Sequence, residues 1–251
     1  MNWELRLKEY QAFLLIEKSL SPNSVDAYLR DMQKLLQFFS IQNIEAKPEQ
    51  VNYELLRDFI TWLNELGISE RTQARIISGI KGFYKFMLLE DHIETDPTSL
   101  IEGPRIGRKL PEVMSVYEID KLVSAIDLSK PEGHRNKAII ETLYSCGLRV
   151  SELINLKLSN SHFKDGFIKV EGKGNKERLV PISPKAVKEI TYYIEHYRNH
   201  LQVKKEAEDI VFLNRRGNKL TRIMIFTIVK ALAQLAGMKK RISPHTLRHS
   251  F

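Results

Sequence analysis

The sequence has only one cysteine, Cys146, and no long apolar run. A single cysteine cannot form a disulfide within the chain, which excludes a disulfide-stapled secreted fold. The apolar runs span only a few residues, far short of the roughly 20 that a membrane-spanning helix needs. Residues 1–6 include Glu4 and Arg6, where a secretory signal would become apolar. We therefore expect a cytoplasmic protein whose lone thiol is packed in the core.

The composition shows no strong bias toward a few residue types. Of the 251 residues, 43% are hydrophobic and 28% are charged, which is typical of a folded globular protein and excludes a disordered tail. This length fits one large domain or two smaller ones.

Positive charge is distributed unevenly along the chain. The net charge of +8 is consistent with a polyanionic partner. Residues 1–107 contain 12 Lys and Arg against 16 Asp and Glu, whereas residues 108–251 contain 27 against 15. The excess positive charge therefore lies entirely in the C-terminal part, which is the better candidate for contact with a nucleic acid.

Apolar residues at helical spacing predict four helices in the first hundred residues. Each predicted helix has one apolar face, and the four run over residues 5–16, 22–40, 50–66 and 69–89. Proline and glycine then interrupt the periodicity. We place a four-helix domain at residues 1–103, a basic linker at 104–112 and a second domain at 113–251.

The second domain has a mixed pattern. Helices are predicted over residues 115–126, 133–145, 184–203 and 221–235, and a last helix begins at Ser243. Two alternating segments, 167–171 and 178–182, flank a glycine-rich basic turn and predict a β-hairpin. Residues 210–213 predict a further short strand. The expected fold class is therefore mainly α with a small β-hairpin or sheet.

Two basic clusters in this domain are candidates for binding phosphate. Arg149 lies where one predicted helix ends and the next begins, close to N–H groups that have no intrahelical partner. The alternative is an arginine that only pairs with Glu152 or caps a helix. Lys173 lies between two glycines at the hairpin tip, in a spacing that is not that of a nucleotide-binding P-loop. The alternative there is a solvated surface lysine.

A third cluster begins the last predicted helix. His245 and Arg248 are three residues apart and share a helix face, so both could contact one phosphate. His245 with His249, and His196 with His200, have the i,i+4 spacing of zinc-binding helices. No carboxylate base follows the first histidine and neither pair has an evident third ligand, so we predict no metal site.

In this order and on these elements, the three clusters resemble the tyrosine recombinase (phage integrase) family, most closely its Xer type, which includes XerC and XerD. The matching segments are Gly-Leu-Arg-Val-Ser-Glu-Leu from residue 147, Gly-Lys-Gly-Asn-Lys-Glu-Arg-Leu-Val-Pro from residue 172 and His-Thr-Leu-Arg-His from residue 245. The resemblance covers essentially the whole chain. It implies an N-terminal four-helix, SAM-like core-binding domain and a C-terminal integrase-like catalytic domain that together form a C-shaped clamp.

The resemblance also implies catalytic roles for Arg149, Lys173, His245 and Arg248. In the family a tyrosine hydroxyl attacks a DNA phosphodiester, which forms a 3′-phosphotyrosyl link and releases a 5′-hydroxyl. The two arginines would donate hydrogen bonds to the non-bridging oxygens, Lys173 would protonate the leaving oxygen, and His245 would assist at the phosphate. No metal or other cofactor is implied, because the link to tyrosine conserves the energy of the phosphodiester.

The implied partner is double-stranded DNA with paired half-sites, bound by a homo- or hetero-oligomer, a tetramer in full-length members of the family. Glu152 is expected to support the architecture around Arg149. The expected DNA-binding residues are Arg149, Lys173, Lys176, Arg178 and Arg248.

One departure from the family concerns the nucleophile. The family has a second His or Trp and then the reactive tyrosine after His-x-x-Arg, whereas this sequence stops three residues after Arg248 and its last tyrosine is Tyr197. We therefore expect a C-terminally truncated recombinase that binds DNA, does not cleave it and assembles weakly on it. The alternatives are a naturally short DNA-binding accessory protein and the integrase of a mobile element, although the lack of an added arm-binding domain favours chromosome dimer resolution over integration.

Overall fold

The computed structural model describes residues 2–107, 112–172, 174 and 176–250. The chain divides into two compact units, Met1–Arg108 and Lys109–Phe251, called here the first and the second unit. Each unit has its own hydrophobic core. Within the described residues, no helix has both the length and the apolar character that crossing a membrane would require.

The first unit contains the four predicted helices, and this part of the prediction is confirmed. Polar side chains fix three of the helix starts, because Asn2, Ser21 and Asn52 each accept a hydrogen bond from a backbone N–H in the first turn. The four helices are α1 (Trp3–Ile16), α2 (Pro22–Ile41), α3 (Tyr53–Glu65) and α4 (Glu70–Leu89).

The packing of α2 against α4 is central to the first unit. Leu35 of α2 and Phe83 of α4 are completely buried in its core. Gly79 of α4 lets the two helices approach closely, since a Cβ atom at this position would lie 2.5 Å from Asp31 Oδ2. Asp31 is itself buried, and its carboxylate pairs with Arg75 on α4. The glycine is therefore required by the contact between the two helices.

The second unit is mainly helical with a small antiparallel sheet, which confirms the expected fold class. Its helices and strands are α5 (Val116–Ser124), α6 (Pro131–Cys146), α7 (Val150–Ile154), β1 (Ser161–His162), β2 (Phe167–Glu171), β3 (Glu177–Pro181), α8 (Pro184–His196), α9 (Arg222–Leu235) and α10 (Pro244–His249). Cys146 at the end of α6 is buried and free, as expected.

The predicted hairpin is present as β2 and β3, and the short β1 extends it to three strands in the order β1-β2-β3. Ile168 lies opposite Val180 in the register, and both side chains are buried. Side chains alternate between the faces of a strand, so Arg178 lies on the same face of β3 as Val180. This register turns Arg178 toward the side of the sheet that carries the buried residues.

Two predictions for the second unit are wrong. Residues 210–213 are buried, but in the described structure they form only isolated bridges, Ile210 with Lys157 and Leu213 with Lys219. A short apolar run predicts burial but does not specify a paired strand. The strand prediction for residues 210–213 was wrong for this reason. The helix predicted to reach residue 203 ends at His196, because the backbone of Tyr197 leaves the helical region at φ −129°.

Candidate functional site

Arg149 is positioned by a sharp change of direction between α6 and α7. Gly147 ends α6 in the left-handed conformation, with φ 54°, which a residue without a Cβ adopts at little cost. Leu148 is buried and anchors the connection. Arg149 then takes the N-cap position of α7 with an extended backbone, and its side chain is 54% exposed. The local sequence therefore directs this guanidinium toward solvent.

Glu152, three residues later, is the buried carboxylate of the site, with its side chain only 2% exposed. Its Oε2 accepts a hydrogen bond from the backbone N–H of Arg149 at 2.8 Å, and its Oε1 accepts one from Arg149 Nη1 at 2.9 Å. A glutamate at the third position of a helix commonly binds back to the N-cap in this way. The carboxylate thus holds both the backbone and the side chain of Arg149.

Arg178 of β3 makes a second, two-pronged contact with the same carboxylate. Its Nη1 donates to Glu152 Oε1 at 2.8 Å and its Nη2 donates to Glu152 Oε2 at 2.9 Å. Such parallel bonds fix the relative orientation of the two planar groups as well as their distance. The small sheet is in this way tied to the start of α7.

Arg248 brings a third guanidinium to Glu152 from α10. Its Nη1 lies 3.9 Å from Glu152 Oε2, and this nitrogen is buried without a hydrogen-bond partner among the described residues. A buried donor without an acceptor is costly, and it marks a place where a ligand oxygen could bind. Ser243, the N-cap of α10, accepts a bond from the N–H of Thr246 and fixes the start of this helix.

The charges of the site do not cancel. Three guanidinium groups surround one carboxylate, so the group we call the arginine cluster (Arg149, Arg178 and Arg248 around Glu152) carries two more positive than negative charges. Burial by itself would raise the pKa of Glu152, but hydrogen bonds from Arg178 and Arg149 lower it to about 2. Glu152 is therefore ionised at neutral pH, and the remaining positive charge suits an anion.

The structure places the other candidate residues as follows. His245 is exposed on α10, one turn before Arg248. Lys176 is exposed next to β3, and its carbonyl oxygen accepts the N–H of Gly172 across the hairpin. Lys173, the expected general acid, lies outside the described residues.

The central position of Glu152 was only partly foreseen. The spacing of Arg149 and Glu152 indicates a capping interaction, and this contact is present. The contact with Arg178 joins residues 26 positions apart in sequence. The sequence does indicate that Arg178 lies on the buried side of the sheet. Side chains alternate along β3, so Arg178 shares a face with Val180.

Three tyrosines of the second unit, Tyr192, Tyr193 and Tyr197, make contacts away from the arginine cluster. The hydroxyl of Tyr193 accepts the N–H of Leu213, and the ring of Tyr197 stacks on His134. His196, one of the histidines in an i,i+4 pair, stacks on Tyr192. In the portion of the chain that is described, no three His, Cys, Asp or Glu side chains are grouped so as to hold a metal ion.

Comparison with known families gives two matches that together cover most of the chain. Residues 112–251 match the Phage integrase family. Residues 7–91 match the family described as Phage integrase, N-terminal SAM-like domain. The first of these matches includes every residue of the arginine cluster.

Curated relatives are similar over nearly the full chain. Tyrosine recombinase XerD of Staphylococcus aureus is 39% identical over 248 residues, which is 99% of this chain and 83% of the relative. Tyrosine recombinase XerD of Staphylococcus haemolyticus is likewise 39% identical over 248 residues, with the same coverage of both chains.

Solved structures share the fold at lower sequence identity. The XerH site-specific recombinase bound to palindromic difH substrate, in a post-cleavage complex, has a TM-score of 0.75 at 22% identity and covers 91% of this chain and 67% of its own. A lambda integrase (residues 75–356) dimer bound to a COC′ core site has a TM-score of 0.76 at 15% identity and covers 100% and 85%. These likenesses support the fold of the two units.

Proposed function

The chain belongs to the phage integrase family of tyrosine recombinases, with relatives of the Xer type, and from this premise we propose that it acts in site-specific DNA recombination through its arginine cluster. The observation that carries the proposal is the convergence of three guanidinium groups on one buried carboxylate. The cluster has two excess positive charges, and the buried Nη1 of Arg248 has no hydrogen-bond acceptor among the residues that the structure describes. A DNA phosphodiester supplies both the negative charge and the acceptor oxygens.

The proposed chemistry follows from the donors around such a phosphate. Arg149 and Arg248 donate to the non-bridging oxygens, whose negative charge grows as a fifth oxygen approaches phosphorus. A tyrosine hydroxyl forms the new P–O bond, and the P–O5′ bond breaks. Lys173 gives a proton to the leaving 5′ oxygen, and His245 takes up the proton that the attacking tyrosine hydroxyl loses or donates to the phosphate. Each arginine stabilises the transition state more than the ground state, because it binds charge that develops during the step.

For a chain of these 251 residues we propose DNA binding without cleavage. No tyrosine follows Arg248 in the sequence, and Tyr193 and Tyr197 are engaged away from the arginine cluster. Residues 1–103 would serve as the core-binding domain and residues 113–251 as the catalytic domain, joined by the linker at 104–112.

The proposed partner is double-stranded DNA with paired half-sites, bound by an oligomer in which each copy occupies one half-site. Support comes from the relatives, since the XerH structure contains a palindromic substrate and the lambda integrase structure contains a dimer on a core site. A DNA partner also supports the proposal of a cytoplasmic location.

Salt-dependent DNA binding tests the binding part of the proposal. We expect the affinity of the 251-residue chain for a mixed-sequence duplex to fall as salt rises, and Arg149→Ala to reduce the slope of log K against log salt by about 0.9, the value for one lost phosphate contact. Lys188→Ala, which removes an exposed cation of α8 outside the arginine cluster, is the matched control and should leave the slope unchanged. Equal slopes for wild type and Arg149→Ala would remove the arginine cluster from the interface.

Denaturing electrophoresis tests the cleavage part. A nicked duplex that traps phosphotyrosyl intermediates should give no covalent product with the 251-residue chain. A covalent band would refute the proposal of binding without cleavage, and mapping of the modified peptide would identify the nucleophile.

A further inference from the structure

Arg178 differs from the exposed Lys176 of the same hairpin because its guanidinium already binds a buried carboxylate. Both of its terminal nitrogens donate to Glu152, at 2.8 and 2.9 Å. The side chain of Arg178 is 39% exposed, whereas the Glu152 side chain is 2% exposed. Lys176, two residues earlier, is exposed and has no ion pair within the described residues.

We propose that Arg178 is a positioning residue of the phosphate site and not a DNA contact. It binds both oxygens of Glu152, so that Arg149 and Arg248 remain available to bind one phosphate. This inference rests on the proposed function and changes the role that the sequence suggested for Arg178. It assigns the hairpin the task of supplying the cation that engages the buried carboxylate.

Arg178 fixes the orientation of the Glu152 carboxylate. A carboxylate has two oxygens, and a guanidinium that binds both in parallel fixes the plane of the carboxylate. Arg178 does this from β3, where strand parity places it on the same face as the buried Val180. With its plane held, Glu152 receives Arg149 through a single side-chain nitrogen, Nη1. The Nε and Nη2 atoms of Arg149 have no partner in the part of the chain that the structure describes.

The three arginines compete for the single Glu152 carboxylate. Glu152 carries one negative charge, and the closest guanidinium neutralises most of it. While Arg178 binds both oxygens of Glu152, Arg248 Nη1 stays 3.9 Å from Glu152 Oε2 and has no hydrogen-bond partner among the described residues. If Arg178 were removed, Arg149 or Arg248 would take its place, since a buried carboxylate strongly favours a bidentate partner. The phosphate would then lose donors even though neither catalytic arginine had been changed.

Arg178 also determines which side chains carry the excess positive charge. The four side chains together keep two excess positive charges, and pairing Arg178 with Glu152 leaves those charges on Arg149 and Arg248. Moving the Arg178 guanidinium away from Glu152 to follow the DNA would break two charge-assisted bonds to a buried carboxylate, which is much more costly than moving an exposed lysine. Lys176 can reach a phosphate without that loss.

Two measurements on the 251-residue chain separate the two roles of Arg178. The first is the salt dependence of binding to a mixed-sequence duplex. The second is titration with inorganic phosphate, followed by the NMR signals of the arginine Nε–Hε groups, which report Arg149 and Arg248 directly. The variants are Arg178→Met, which keeps the length of the side chain but removes its donors, Arg178→Lys, which keeps the charge but not the fork, and the control Lys176→Met.

For Arg178→Met we expect a loss of phosphate affinity at Arg149 and Arg248 of about tenfold or more, as for a lost charge-assisted hydrogen bond, and any fall in the salt slope should accompany that loss. Arg178→Lys should show the same phosphate defect to a smaller extent. Lys176→Met should do the opposite, with a salt slope reduced by about 0.9 and unchanged phosphate affinity.

The inference is overturned if Arg178→Met lowers the salt slope as Lys176→Met does while Arg149 and Arg248 bind phosphate as in wild type. If Arg178→Met does not fold, Arg178→Lys decides the question by the same two readouts. Failure of the proposed function has a different signature, because wild type and Lys176→Met would then both lack salt-dependent duplex binding. The phosphate titration would still report whether Arg178 controls the two arginines.

Discussion

Replacing Glu152 with glutamine is expected to destabilise the second unit by about 3 kcal/mol at neutral pH. The carboxylate is buried and accepts bonds from Arg149 and Arg178, whereas a glutamine would present an amide N–H₂ to groups that are themselves donors. Removing one partner of a buried ion pair costs about 3–5 kcal/mol. The lowered pKa of Glu152, about 2 against an ordinary 4.5, corresponds to a similar figure of about 3 kcal/mol.

The pH dependence has a definite sign. Because the pKa of Glu152 is lower in the folded than in the unfolded chain, its contribution is complete above about pH 4.5 and is lost as the pH falls toward about 2. The free energies of unfolding of wild type and Glu152→Gln should therefore differ at pH 7 and converge on acidification. A constant difference across this range would show that the substitution acts through packing and not through the charge.

The assay must follow the second unit alone. Both tryptophans, Trp3 and Trp62, lie in the first unit, so their fluorescence reports that unit. Urea dependence of the amide NMR signals of residues 112–250 isolates the second unit. Glu177→Gln is the matched control, since this glutamate pairs with Lys169 on the same hairpin but is 54% exposed, and it should cost less than 1 kcal/mol. A loss below 1 kcal/mol for Glu152→Gln as well would refute the assigned role of the buried carboxylate.

Three further substitutions test how the units are built. Gly147→Ala should destabilise the second unit by about 1–2 kcal/mol in urea titrations, because the residue has φ 54° and a Cβ is strained there. Gly79→Ala should lower the free energy of unfolding of the first unit by about 1–3 kcal/mol, seen as a lower urea midpoint in tryptophan fluorescence, because the new Cβ would lie 2.5 Å from Asp31 Oδ2; an unchanged midpoint would contradict the close packing of α2 and α4. Ser183→Ala should cost about 1 kcal/mol, because its hydroxyl accepts the N–H of Ala186 at the start of α8, and Ser183→Asp should restore most of that loss.

Much of the fold follows from local patterns. Periodic apolar residues and polar N-caps such as Ser21 and Asn52 specify where helices of the first unit begin, since these interactions join residues within one turn. The hairpin follows for the same reason, because alternation and a glycine-rich turn are local properties. Where the partner is distant, local pattern fails. Within the described part of the chain the buried segment 210–213 forms only isolated bridges, and Tyr197 leaves the helical region although the apolar pattern continues.

The sequence by itself determined the order of the basic clusters, the exposed junction that carries Arg149, the face shared by His245 and Arg248, and the uneven distribution of charge. These depend on spacing along the chain. Only the tertiary structure decided that Arg178 and Arg248 meet Arg149 at one carboxylate, and that Arg178 takes both of its oxygens. The physical reason is that the partners of a buried charge are the donors that lie within hydrogen-bond distance in the folded chain and have no other acceptor. The spacing of residues within one segment determines neither condition.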